Sequence, residues 1–421
     1  MESTLSMTLL IQDALIYDHF SDFHLSKADI LIEDGFIVNM GSNLSVDPEV
    51  TIVKSSDLCV SPGWLDIGAF NGEPGYESIE DLTSLKDAAC SGGFTHIAPL
   101  PTTSPRIDNK SLIDYLKNRN SQSVTQILPM ATATQGARGE VISEMIDLNR
   151  AGAIAYTDGP NNDIGRGQLI RILQYLKPIN GIYIHYPKYN TFTNNGQINE
   201  GAQSIKLGLT GLPAVEESIE VNNAIEIAGY VGCGINIHNV SSAKSIKEEQ
   251  NESISYAVSY LNLIFSDEDL DTFNTNLKVL PPLRKPADRE GLIAKINTGH
   301  INCITSNHRP VLQEHKDKEF GLASFGAIGL QRCFSALNTY CQGINRERLI
   351  HCLSSGPYDY LKLEAPRIKV GERAILTLFD PSVSYESIDS KSKCSNDPFY
   401  GHQLRGKIIG LINGIKNTFI P

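Results

Sequence analysis

Apolar and polar positions change their rhythm twice along the chain. Residues 9–11, 14–17, 30–32, 36–40 and 51–54 are β-branched or apolar runs of strand length, parted by polar turns such as Glu33-Asp34-Gly35. From about residue 61 to 355, strand-like apolar runs at 95–100, 126–130, 153–157, 181–185, 234–238 and 303–305 alternate with helix-length stretches such as 78–91, 109–119 and 214–229. Such alternation predicts a parallel α/β architecture, and its length suits an eight-fold (β/α)8 TIM-type barrel over residues 61–360. Short strands return at 368–370, 374–379 and 406–411. Two β-rich ends around an α/β middle predict that segments 1–60 and 361–421 fold together into one small β-sandwich. The polar run 387–397 reads as a solvated loop.

Composition narrows the function without naming it. The 421 residues are 41% hydrophobic and 20% charged, ordinary for a soluble globular protein. A net charge of -12 repels nucleic acid and anionic membrane. No apolar run reaches the roughly 20 residues of a membrane span. The start of the chain lacks a basic cluster, and Gln12 and Asp13 break its apolar stretch, so no signal peptide is expected. The eight cysteines are scattered without a C-x-x-C pair, the pattern of free thiols in a cytoplasmic protein.

In a barrel of this kind, chemistry sits at the C-terminal ends of the strands. Asp158 follows the run 153–157, His185 follows Ile184, and His238 follows Ile237. Carboxylate and imidazole are ligands suited to zinc. Taken singly, a histidine at a strand end is more often a hydrogen-bonded core residue than a ligand; the three together weigh the two readings evenly.

Longer motifs supply a context. The segment Pro62-Gly63-Trp64-Leu65-Asp66-Ile67-Gly68-Ala69-Phe70-Asn71-Gly72-Glu73-Pro74-Gly75 resembles the first-strand motif of dihydroorotases, P-G-x-x-D-x-H-x-H-x-R-E-P-G. In order along the chain, Gly92-Gly93-Phe94-Thr95, Leu100-Pro101-Thr102-Thr103-Ser104-Pro105, Ala155-Tyr156-Thr157-Asp158 and His238-Asn239-Val240-Ser241 resemble later motifs of that family. So do Val279-Leu280-Pro281-Pro282-Leu283-Arg284 with Asp288, and Ile304-Thr305-Ser306-Asn307-His308-Arg309-Pro310-Val311. The resemblance spans essentially the whole chain. Its P-P-L-R element favours dihydroorotase over hydantoinase and allantoinase. It implies an amidohydrolase-superfamily barrel, a role in pyrimidine biosynthesis, zinc at the strand ends, and frequent dimerisation or association with aspartate transcarbamoylase.

The departures concentrate on the chemistry. Gly68 and Phe70 stand where the resemblance implies two metal-binding histidines, and neither has a donor atom. Asn307 replaces the implied catalytic aspartate, and an amide cannot take a proton from water at neutral pH. At the implied substrate contacts, Gly72 replaces an arginine, Thr102 and Leu280 replace asparagines, and Val311 replaces a histidine. Phe325-Gly326 falls at an implied backbone contact. The arginine matters most, because a bidentate arginine–carboxylate pair orients a small anion.

Two readings follow. In the first, the chain is a catalytically silent dihydroorotase-like protein without cofactor, and a partner of aspartate transcarbamoylase or of a second copy of itself. In the second, it is a metal-dependent cyclic amide hydrolase using one zinc at Asp158, His185 and His238, with His308 as the base. Phe70 is expected to intrude into the space of the missing ligands.

Overall fold

The computed structural model describes residues 8–120, 123–160, 164–189 and 191–420. Residues 1–7, on which the signal-peptide expectation partly rests, and residue 421 lie outside them.

Strands β1 (Thr8–Ile16), β2 (Lys27–Glu33) and β3 (Phe36–Gly41) form an antiparallel meander. A bulge between Ile11 and Ala14 is absorbed by Asp13, at φ +50°. Strands β4 (Thr51–Val53) and β5 (Cys59–Pro62) pair in parallel with β1.

The barrel follows at once. Its eight staves begin with β6 (Trp64–Ile67), β7 (Phe94–Ala98), the split stave β8 (Gln126–Ile127) and β9 (Met130–Ala131), β10 (Ala155–Tyr156) and β11 (Ile184–His185), and three more follow. Between them, β12 (Ile198–Asn199) and β13 (Gly211–Leu212) pair as a separate ribbon in the connection after β11. The last staves are β14 (Ile235–Ile237), β15 (Ile254–Ser259) and β16 (Cys303–Thr305). All pairings among the staves are parallel. Asp66 of β6 joins the first stave to the last, accepting from the Ser306 backbone N–H at 2.6 Å and its hydroxyl at 2.8 Å. Burial pushes this carboxyl up to about 6, against the pull of both Ser306 bonds.

Strands β17 (Ile375–Glu386), β18 (Gln403–Asn413) and β19 (Lys416–Phe419) then return to the first unit, β17 pairing antiparallel with β5. The result is one continuous sheet in the order β19-β18-β17-β5-β1-β2-β3, with β4 beside β1. It folds over its own core of Ile11, Ile30, Ile32, Val60, Leu376 and Ile412. Its two limbs meet where Ile37 exchanges backbone hydrogen bonds with Gly371 and Glu372. The two β-rich ends thus fold together, in one continuous sheet. Trp64 welds it to the barrel: the indole is fully buried among Phe94, Phe334 and Phe379, with centroids 5.0–6.1 Å away.

Segment 387–397 departs from expectation. Residues 388–391 are exposed, but Ser387, Cys394, Asn396 and Asp397 are buried. Asn396 bonds Val311 N and Arg309 O, Ser392 bonds Glu80, and Asp397 pairs with Arg332 at 3.1 Å. Polar composition suggested solvation, whereas these side chains bind the connections after β6 and β16. All eight cysteines are unpaired. Among the described residues no helix is long and apolar enough to cross a membrane.

Candidate active site at the barrel mouth

The strand ends converge on two small adjoining cavities. One, of about 30 Å³, is lined by Gly68, Phe70, Tyr186, His238, Leu280 and Asn307, among others. The other, of about 200 Å³, is lined by Phe70, Thr102, Arg106, Asp158 and Arg309 among others. Phe70, Leu100, Pro160 and Arg309 border both and so stand between them. Pockets that enclose small organic ligands usually run to roughly 300–1,000 Å³, and neither cavity reaches that.

Asp158, His185 and His238 fall at stave ends, but the fold does not gather them into a ligand set. Among the described residues, only one group of three histidine, cysteine or acidic side chains brings its donor atoms within 4.8 Å of one another, and it is not this one. Asp158 borders the larger cavity and His238 the smaller, while His185 borders neither. Both Asp158 oxygens are taken by Thr134, one by its backbone N–H at 3.0 Å and one by its hydroxyl. The Nε2 atoms of His185 and His238 are buried without hydrogen-bond partners. Two nitrogens without a third gathered ligand fall short of the three that catalytic zinc uses, so the residues present do not fit the single-zinc site expected from the sequence.

The place of the missing first ligand is filled. A Cβ on Gly68 would meet the Tyr186 hydroxyl at 2.5 Å and His238 Nε2 at 2.7 Å. Gly68 also sits at φ +86°, where a side chain is strained. Tyr186, rather than Phe70, therefore occupies the position beside Gly68. Phe70 forms the wall of both cavities, its ring 6.4 Å from that of Tyr76. Burial pushes the His238 imidazole down to about 3 and the His185 imidazole down to about 4, so both are neutral at physiological pH.

The position at which the resemblance implies an arginine is closed off in the same way. A Cβ on Gly72 would lie 2.0 Å from the backbone oxygen of Glu80 and 2.7 Å from that of Tyr76. The 72–80 turn thus runs through the space an arginine side chain would need. Asn307 donates to the Leu280 carbonyl at 3.0 Å and accepts from the Asn239 amide at 3.1 Å. A carboxylate at 307 would oppose that carbonyl. Thr102 borders the larger cavity. Val311 and Phe325-Gly326 border neither: Val311 N–H is bound by Asn396, and the Phe325 ring lies 4.9 Å from the Lys278 ammonium.

His308 is not free to act as a base, contrary to the second reading. Its Nδ1 accepts from the backbone N–H groups of Gly329 and Leu330 at 3.1 and 3.4 Å. Its Nε2 therefore carries the proton and donates to Glu80 at 3.2 Å. Sequence reading missed Tyr186 and Arg309. Arg309 had a signal, since the resembled motif places alanine there. Tyr186 had only its position after His185.

The fold is shared with solved hydantoinases. L-hydantoinase (dihydropyrimidinase) from Arthrobacter aurescens superposes with a TM-score of 0.83 over 98% of this chain and 97% of its own, at 17% identity. D-hydantoinase (dihydropyrimidinase) from Thermus sp. gives 0.79 at 16% identity, over 98% and 96%. Barrel and terminal sheet thus define the fold, that of a cyclic-amide hydrolase scaffold. Residues 59–245 match the Dihydro-orotase-like family. The dihydroorotase of Pelobacter propionicus is 32% identical, over 96% of this chain and 98% of its own. That of Caldicellulosiruptor saccharolyticus is 33% identical, over 94% and 95%. The chain belongs to the dihydroorotase-like family.

Proposed function

We propose that this chain is a catalytically silent dihydroorotase-like protein of the pyrimidine pathway, serving as a non-catalytic partner of aspartate transcarbamoylase. The observation that supports silence best is steric. The positions of the lost ligand and the lost arginine are occupied, by the Tyr186 hydroxyl against Gly68 and the Glu80 carbonyl against Gly72. Reversion of single residues would not rebuild such a site. A hydrolase with one zinc at Asp158, His185 and His238 would need those side chains to move together first.

Assay of dihydroorotate ring opening and closure, in both directions and with excess Zn²⁺, is expected to show no turnover above the protein-free rate. Turnover abolished by His185→Ala and by His238→Ala would overturn this reading. Support for a partner role is the mixed outer face of the helix Ala214–Val231, where exposed Asn222 and Glu226 interleave with three exposed apolar side chains. Val215 and Ile219 lie one turn apart, Tyr230 three turns further, and all three are exposed. Size-exclusion chromatography of a mixture is expected to give one earlier peak with the transcarbamoylase. Two independent peaks would refute the pairing, and an earlier peak from this chain alone would assign that face to a second copy.

A further inference from the structure

We propose a divalent-metal site outside the barrel mouth, formed by His19, His24 and Glu347, which clips the terminal sheet to the barrel. It is independent of whether the mouth is silent. His19 and His24 lie in the connection between β1 and β2. Asp18 shapes this connection, accepting from Phe20 N at 2.9 Å and Ile368 N at 2.6 Å, and His24 N bonds Ser21 O at 3.1 Å. Glu347 comes from the barrel side, in the first turn of the helix Arg346–Leu353, whose start is capped by Asn345.

The three donor atoms converge. Glu347 Oε1 is 3.4 Å from His19 Nδ1 and 3.2 Å from His24 Nε2. All three lie within 4.8 Å of one another, the one such group among the described residues. Metal–ligand distances of about 2.0–2.1 Å in tetrahedral zinc put neighbouring donors about 3.3–3.4 Å apart. Two of the three edges therefore already have the length that zinc requires. A shared imidazole–carboxylate hydrogen bond also explains each edge alone. It does not require a second imidazole on the same oxygen, with ring centroids 4.4 Å apart. Two imidazoles and a carboxylate suit zinc or a similar borderline ion, leaving one position open to solvent. The side chains are partly exposed, from 22% to 46%, so an ion can enter without unfolding. None of the three lines the mouth cavities.

Glu347 is more than 300 positions from the two histidines, so the complete ligand set exists only in the folded chain, and a bound ion would raise its stability by mass action. The test is a Zn²⁺ titration of the full-length protein at pH 7.5, read by competition with a fluorescent chelator and by melting temperature. One equivalent is expected to bind. At a hundredfold excess over Kd the melting temperature should rise by about 3 °C or more. His19→Ala, His24→Ala and Glu347→Gln should each weaken binding at least tenfold, leaving the metal-free melting temperature within about 2 °C of the parent. His185→Ala and His238→Ala should leave it unchanged. Absence of stoichiometric binding, or an equivalent that survives His19→Ala with His24→Ala, overturns the proposal. An equivalent lost on His185→Ala or His238→Ala would place the ion in the mouth and count against catalytic silence as well.

Discussion

Replacing Arg284 with methionine is expected to destabilise the protein by about 3–5 kcal/mol, the usual cost of removing one partner of a buried ion pair. Arg284 and Glu217 are both essentially inaccessible, at 1% and 0% side-chain exposure, with Nη2 3.8 Å from the carboxylate. The guanidinium donates to Ser241 Oγ and Asn199 Oδ1 at 3.0 Å and to the Leu212 carbonyl at 2.7 Å. Glu217 in turn accepts from Ser242 N at 2.9 Å, Ser245 Oγ at 2.8 Å and the Tyr189 hydroxyl at 2.9 Å. The pair thus ties β12 and β13 to the connections after β14 and β15. Methionine keeps the length but leaves Glu217 as a buried charge without its cation. Adding Glu217→Gln removes that charge, so the double variant should recover at least half of the loss in urea denaturation. Additive losses would mean that the two side chains are not energetically coupled.

The same network explains which motifs the chain has kept. The P-P-L-R element resembles a family motif, yet Arg284 lines neither mouth cavity. Its contacts are internal, so the fold requires it whether or not any chemistry takes place. Gly68, Gly72 and Asn307, by contrast, lie where only chemistry would demand another residue.

The staves were legible because parallel strands buried on both faces read as continuous apolar runs, as in Ile235–Ile237 and Cys303–Thr305. The departures at 68, 70, 72 and 307 from the resembled motifs are legible as well, because the absence of a donor atom is visible in a motif. What filled the vacated space was not. The hydroxyl of Tyr186 meets Gly68 across more than a hundred residues of sequence, and the carbonyl of Glu80 reaches Gly72 through a backbone turn. Neither contact has a sequence period. Segment 387–397 was misread for a related reason: its polar side chains are satisfied by protein groups at 80, 309, 311 and 332, and composition cannot tell those partners from water. The pair His19 and His24 drew no attention because its third member is supplied by a helix at the other end of the chain.

Acid is expected to unfold this protein early, in the window from pH 6.5 to 5, before most carboxylates titrate. Burial pushes His96 and His185 down to about 4 and His238 down to about 3. In the unfolded chain each returns to about 6.5. Between these values the unfolded state binds protons that the folded state refuses, so stability rises with pH there and falls as pH drops below 6.5. At pH 5 each histidine costs roughly 2 kcal/mol relative to neutral pH, and the three together cost roughly 6. Asp66 acts in the opposite sense, because its raised carboxyl is relieved as it protonates near 6. That gain is roughly 1 kcal/mol over the same interval and does not reverse the sign. A loss of about 5 kcal/mol is comparable to the whole stability of many domains. The urea midpoint should therefore be nearly flat from pH 8 to 7 and drop steeply from 6.5 to 5. His96→Gln should flatten that drop by about a third of its height. Equal midpoints at pH 7.5 and 5 would mean that these imidazoles are hydrated, and that the barrel mouth is more open than its buried histidines indicate.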